Sequence, residues 1–129
     1  MKRIAHLLTT LTARGQKAFI PYITAGDPDC AATLRFLHVL EALGADIVEI
    51  GVPFSDPMAD GPVIEAAMER ALKSGTTLAD ILGTVREFRK TSSLPVVLMG
   101  YFNPFHAYGI ERFAADAGDA GVDAVLTVD

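Results

Sequence analysis

Residues 46–62 read DIVEIGVPFSDPMADGP, and this stretch decides the fold that we predict. Its first five residues have strand length, and Glu49 is the carboxylate that lies within their apolar part, residues 47–50. A loop over residues 51–61 follows, and Pro62 then suits the first turn of a helix, where its missing N–H group is not needed. A short strand, a long loop and a helix in succession predict one βα unit of a parallel sheet.

The same alternation of short apolar runs and helical stretches continues on both sides of this unit. The apolar residues from Ile4 to Leu11 recur at helical spacing, which predicts an amphipathic surface helix at the N-terminus. Thr77 and Asp80 have the spacing of a capping box and predict the start of a helix whose core face ends at Phe88. The predicted strands are 18–24, 46–50, 95–99 and 122–128, and the other predicted helices are 29–43, 62–73 and 110–117.

Near-continuous apolar strands of this kind are typical of a parallel sheet that is covered on both faces. Two architectures fit four such strands: an open doubly wound sheet and part of a closed barrel. Neither a Rossmann glycine fingerprint nor a P-loop follows any predicted strand, which favours the barrel. A complete (β/α)8 TIM barrel needs eight strands and about 250 residues. Residues 1–129 therefore predict a single α/β domain, the N-terminal half of a barrel, with about the first four βα units and an N-terminal helix.

Composition excludes several classes of function. The formal net charge is 11 − 16 = −5, which argues against a nucleic-acid partner or an anionic membrane surface. No apolar stretch reaches the length of a membrane span, and we expect a cytoplasmic protein. The single cysteine, Cys30, fits a reducing compartment, and its acidic neighbours make it a poor nucleophile. The three histidines are far apart, so we expect no metal site.

Glu49 is the first candidate for catalysis. It lies at the carboxyl end of its predicted strand, where barrel enzymes place their active sites. Burial there would favour the protonated carboxyl and ready it to give and accept protons near neutral pH. The alternatives are a structural ion pair and an edge strand that leaves Glu49 in water.

Two more carboxylates, Asp56 and Asp60, lie in the loop that follows, and long loops on the catalytic face are usually functional. The alternative for Asp60 is capping of the helix that starts at Pro62, and for Asp56 it is a turn before Pro57. Local geometry alone favours both alternatives.

Polar and aromatic side chains also occur where the other predicted strands end. Tyr22 and Tyr101 fall at the ends of the first and third strands, where they could wall a flat apolar substrate with their hydroxyls at a wet rim. Core packing is the alternative for both tyrosines. Asp129 follows the fourth strand and could join a site there or simply be solvated.

Three ordered motifs resemble those of one known family: EIGVPFSDPMADGP at 49–62, YITAGDP at 22–28 and MGYFNP at 99–104. Together they resemble the tryptophan synthase α subunit over essentially the whole chain. The resemblance implies a lyase of tryptophan biosynthesis that cleaves indole-3-glycerol phosphate to indole and glyceraldehyde 3-phosphate by a retro-aldol reaction. A different phosphate-sugar barrel enzyme is disfavoured by the 49–62 motif.

The resemblance also implies roles for individual residues. Glu49 matches the general acid/base, which protonates the indole ring carbon and accepts the proton of the glycerol hydroxyl. Asp60 matches the carboxylate that binds the indole N–H and stabilises positive charge there. Tyr22, Ile64 and Tyr101 match positions around the indole pocket.

A partner follows from the same resemblance. Asp56, Pro57 and Asn103 lie in loops that would face a β subunit, in an α2β2 heterotetramer. The β subunit would consume the indole using pyridoxal phosphate, whereas the α subunit would use no cofactor.

The chain departs from the family in length, because the later strands and their phosphate-binding loops are missing. We therefore expect residues 1–129 alone to be weakly active or inactive. The alternative function is a non-catalytic half-barrel that only binds the β subunit or self-associates.

Overall fold

The computed structural model describes residues 2–129 as one four-stranded parallel sheet in the order β1-β2-β3-β4, with helices in the connections. The parallel pairing follows from the sequence, because each strand is joined to the next through at least one helix. The elements in chain order are α1 (Lys2–Ala13), β1 (Tyr22–Thr24), α2 (Cys30–Ala42), β2 (Val48–Gly51), α3 (Pro62–Lys73), α4 (Leu78–Phe88), β3 (Val96–Tyr101), α5 (Phe102–Tyr108), α6 (Ile110–Ala120) and β4 (Ala124–Val128).

The two faces of the sheet differ in what covers them. Val48, Ile50 and Leu98 point to the outer face and are fully buried in the core that α2, α4 and α6 contribute to. Glu49 alternates with them and points to the opposite, inner face. On that face Leu126 of β4 is 51% exposed, so the inner face is largely open within residues 2–129.

Helix starts agree well with their sequence signals. α3 begins at Pro62, as predicted. The capping box of α4 is confirmed: Thr77 accepts a hydrogen bond from the Asp80 backbone N–H, and the Asp80 carboxylate accepts one from the Thr77 backbone N–H. These local bonds satisfy N–H groups that a helix start leaves free.

The N-terminal helix is amphipathic and lies on the surface, as expected, with no fully buried residue. Its Arg3 reaches across to Asp123, just before β4. None of the helices in the described chain is long and apolar enough to pass through a lipid bilayer.

All four strands differ from the prediction at one or both ends. β1 begins at Tyr22 rather than at residue 18, because Pro21 has no N–H to donate and Phe19 bonds instead to Asp46. β4 begins at residue 124 rather than 122, because the N–H of Val122 bonds to Ala117 at the end of α6. β2 and β3 both begin later than predicted, at residues 48 and 96, and end later, at residues 51 and 101.

One helix was not predicted. α5 occupies residues 102–108, which read as the loop after the third strand. Pro104 lies in its first turn, where proline is tolerated, and Phe105 is buried against Phe113. Phe105 is the one buried residue of this seven-residue helix, so the sequence shows little helical periodicity here.

Candidate active site

The candidate site lies on the inner face of the sheet, at the carboxyl ends of the strands. Glu49 of β2 is paired in register with Tyr22 of β1 and Val97 of β3, so these three side chains share the inner face. Glu49 is half-buried and no ion pair in the described chain involves it, which disfavours the structural alternative. Its carboxylate is therefore available on the open face.

Tyr22 lies flat across the backbone of Gly51, and a Cβ atom at position 51 would overlap its ring. The phenol oxygen is 3.3 Å from Thr24 Oγ1. Burial raises the pKa of Tyr22, the Thr24 hydrogen bond opposes this, and the negative charges of Asp60 and Glu49 add to the increase. Tyr22, Thr24, Glu49 and Asp60 therefore belong to one cluster of interacting polar groups. Gly51 leaves the space that the Tyr22 ring occupies in this cluster.

Asp60 does not cap α3, so the capping interpretation is wrong. The N-cap residue is Gly61, which has no side chain, and the start of α3 has no capping hydrogen bond from a side chain. The Asp60 carboxylate instead accepts a hydrogen bond from the Tyr101 hydroxyl at 2.9 Å. The loop is thus held against β3, and Asp60 is drawn toward the cluster that contains Tyr22.

Tyr101 is 3% exposed, so it belongs to the buried part of the site and not to a wet rim. Its ring packs on Phe54, with ring centroids 5.3 Å apart. Burial raises the pKa of the Tyr101 phenol; a hydrogen bond from the Ala59 backbone opposes this, and the charges of Asp60 and Asp129 add to it. Asp129, at the end of β4, is exposed and acts on the same cluster by its charge alone.

Ile64 lies in the first turn of α3 and lines a cavity of about 250 Å³ together with Tyr22. Arg70, two turns along the same helix, also lines it and forms two hydrogen bonds of 2.8 and 2.7 Å with Asp27 in the loop after β1. α3 is therefore fixed over β1 with its apolar face toward the site.

Of the residues expected to meet a partner, two lie in the 51–61 loop and the third lies on α5. Asp56 and Pro57 line a cavity of about 920 Å³ between this loop and α3. The Asp56 carboxylate accepts a hydrogen bond of 2.6 Å from Ser55. Asn103 is exposed on α5, which also follows the carboxyl end of a strand.

Within residues 2–129 no cluster of His, Cys, Asp and Glu side chains has the geometry to hold a metal ion. What the face does offer is two carboxylates, Glu49 and Asp60, beside two phenols and aliphatic side chains. Such a set can bind a flat apolar molecule, move a proton and stabilise a developing positive charge.

Sequence reasoning missed three contributors. Gly51 and Thr24 together seat Tyr22, and a glycine that ends a strand is a signal for close approach of another group. Arg70 was missed although it shares a helical face with Ile64 and Ala67, at intervals of three residues. The partner of Arg70 is 43 positions away, and no local pattern could have identified it.

Comparison with known proteins gives one consistent family. A family model described as tryptophan synthase alpha chain matches residues 8–129. A curated relative from Marinobacter nauticus, named tryptophan synthase alpha chain, is 61% identical over the whole chain, which covers 48% of the relative. The chain thus spans about half the length of the curated relatives it matches.

Solved structures that superpose on this chain come from the same family. Tryptophan synthase subunit alpha from Legionella pneumophila superposes with a TM-score of 0.95 at 51% identity, over 98% of this chain and 49% of that one. A chain of the tryptophan synthase complex from Pyrococcus furiosus superposes with a TM-score of 0.83 at 49% identity, over 87% and 46%. These relatives are TIM barrels, and the four parallel strands described above correspond to about half of such a barrel.

Proposed function

The chain belongs to the tryptophan synthase alpha chain family, and on that premise we propose that it contributes the catalytic carboxylates for cleaving indole-3-glycerol phosphate to indole and glyceraldehyde 3-phosphate. The observation that carries the proposal is the placement of two carboxylates at the carboxyl ends of neighbouring strands: Glu49 is in register with Tyr22 of β1, and Asp60 accepts a hydrogen bond from Tyr101, the last residue of β3. Barrel enzymes carry their chemistry at this end.

Glu49 is the proposed general acid and base. It protonates the indole ring carbon that bears the glycerol chain and takes the proton from the glycerol hydroxyl as the carbon–carbon bond breaks. Protonation of the ring places positive charge on the indole nitrogen. Asp60 accepts a hydrogen bond from that N–H and lowers the energy of the cationic species more than that of the substrate.

The remaining residues of the site bind the substrate and shape the pocket around it. Tyr22 and Ile64 line one cavity and present an apolar wall to a planar ring. Tyr101 closes the wall beside Asp60, and the exposed Asp129 contributes negative charge at the rim.

The proposed partner is a tryptophan synthase β subunit in an α2β2 assembly. Asp56 and Pro57 line an open cavity beside exposed Met58, and Asn103 is exposed on α5. A partly apolar, partly acidic surface on the loop that carries Asp60 suits a protein–protein interface beside the site.

Glu49→Gln tests the catalytic proposal in a full-length α chain that contains these residues. Because the amide cannot exchange a proton, we expect indole formation to fall by about 10²–10⁴-fold, with β-subunit binding unchanged. Glu87→Gln, an exposed surface change on α4, is the matched control and should keep full activity. A Glu49→Gln chain that still forms indole at the parent rate would exclude Glu49 as the acid and base.

A second candidate is a half-barrel that binds without catalysis, favoured by the open inner face and its exposed Leu126. Assaying residues 1–129 with and without the second half of the barrel separates the two. Catalysis that needs the remaining strands predicts little indole from this chain and recovery when the second half of the barrel is supplied; the binding function predicts no recovery.

A further inference from the structure

The Tyr101 hydroxyl makes two hydrogen bonds to two consecutive residues of the 51–61 loop. It donates to Asp60 Oδ2 at 2.9 Å and accepts from the backbone N–H of Ala59 at 2.8 Å. One hydroxyl thus fixes both the side chain of Asp60 and the backbone immediately before it.

The hydroxyl itself is held in place by the sheet. Tyr101 is the last residue of β3 and is paired with Val128 of β4. Its ring is almost fully buried and packs on Phe54 from the same loop. The loop adds only short-range turn bonds around Asp60, from its N–H to Pro57 and from Met58 to Asp56. The strand therefore supplies the rigid support for the Asp60 carboxylate.

We propose that Tyr101 is a positioning residue that orients the Asp60 carboxylate for charge stabilisation, an inference that rests on the proposed function of Asp60. With Oδ2 held by the phenol, Oδ1 is left for the N–H of the substrate. A carboxylate that is already oriented does not have to be ordered as the positive charge develops, so the gain appears in the transition state.

This role differs from that of an apolar pocket wall, because it depends on the hydroxyl and not on the ring. Burial raises the pKa of Tyr101, which keeps the phenol protonated and able to donate throughout the neutral range. Phenylalanine at this position would keep the wall and lose only the two hydrogen bonds.

The test is a double-mutant cycle with Tyr101→Phe and Asp60→Asn in a full-length α chain. We expect Tyr101→Phe to lower kcat about tenfold with KM nearly unchanged, which is the size of one lost hydrogen bond to a charged group. In the Asp60→Asn background the same change should have almost no further effect. Tyr108→Phe is the control, because Tyr108 makes a 2.6 Å hydrogen bond to a different carboxylate, Asp116.

An independent readout does not require activity. Ultraviolet titration of the phenols should show that Asp60→Asn lowers the pKa of two tyrosines, Tyr22 through loss of the charge and Tyr101 through loss of the charge and the charged hydrogen-bond partner. The Tyr101 transition is the one that should be absent from Tyr101→Phe. An unchanged titration would overturn the proposal, as would a Tyr101→Phe effect that is equally large in both backgrounds or confined to KM. Failure of the proposed function looks different: Glu49→Gln would then retain activity.

Discussion

At the scale of single residues, the site depends on what one position lacks. Gly51 ends β2 without a side chain, and Tyr22 occupies the space that a Cβ atom would fill. The Tyr22 phenol therefore lies on the inner face, where the charges of Asp60 and Glu49 both raise its pKa. The absence of a side chain at Gly51 therefore determines where the Tyr22 ring, one wall of the site, lies.

Gly51→Ala should destabilise the chain by about 1–3 kcal/mol, because the new methyl group must displace the Tyr22 ring and its bond to Thr24. Urea unfolding measures the free-energy change. Gly83→Ala is the matched control: Gly83 lies inside α4 with open space around it, and alanine there should add roughly 0.5–1 kcal/mol of stability. Equal effects of the two substitutions would contradict the packing argument.

At the scale of elements, helix starts depend on a few polar contacts. The Asp80 carboxylate accepts hydrogen bonds from the side chain and the backbone of Thr77, and these bonds lower the pKa of Asp80 below its ordinary value of 3.8. The folded chain therefore holds this proton more weakly than the unfolded chain does. The resulting stabilisation is present above the ordinary pKa and is lost as the pH falls through the lower folded value.

Asp80→Asn should remove that pH dependence, because asparagine does not titrate. We expect the free energy of unfolding of the variant to fall less steeply than that of the parent as the pH is lowered through and below the ordinary value of 3.8. Asp119→Asn, an exposed position on α6, should leave the parent profile unchanged. Parallel profiles for Asp80→Asn and the parent chain would show that the capping box does not contribute to the acid response.

At the scale of the whole molecule, one buried carboxylate joins distant parts of the chain. Asp123, with its side chain 3% exposed, contacts Arg3 of α1 and Arg89 beyond α4 at 2.8 Å each, and also accepts from the N–H of Val96 in β3. Burial lowers the pKa of Arg89, and the charge of Asp123 opposes that change. The pair keeps a buried guanidinium charged at the end of the sheet opposite the site.

Asp123→Asn should cost about 3–5 kcal/mol in the free energy of unfolding, because it leaves the Arg89 guanidinium buried without its counter-charge. Glu69→Gln breaks the exposed pair with Lys73 and should leave the free energy of unfolding nearly unchanged, because solvent screens this pair. Calorimetric or urea unfolding of both variants measures the difference. A cost for Asp123→Asn no larger than that of Glu69→Gln would contradict the interpretation that Asp123 stabilises the buried Arg89 charge.

Much of the fold could be predicted from local patterns. The start of α3 at Pro62 and the capping box of α4 depend on residues within one turn of each other, so their signals are complete in the sequence. The parallel sheet followed from apolar strands that alternate with helices. α5 was not predicted because it is seven residues long and buries one residue, Phe105, so no helical repeat marks it in the sequence.

The sequence by itself determined the βα order, the place of Glu49 at a strand end and, through its motifs, the family. Only the tertiary structure decided what Asp60 and Tyr101 do. Asp60 had the position of a helix cap, yet its carboxylate bonds to a hydroxyl 41 positions away. Hydrogen bonds between strands and loops depend on the register of the sheet, which brings distant residues together and is not encoded within any short stretch of chain.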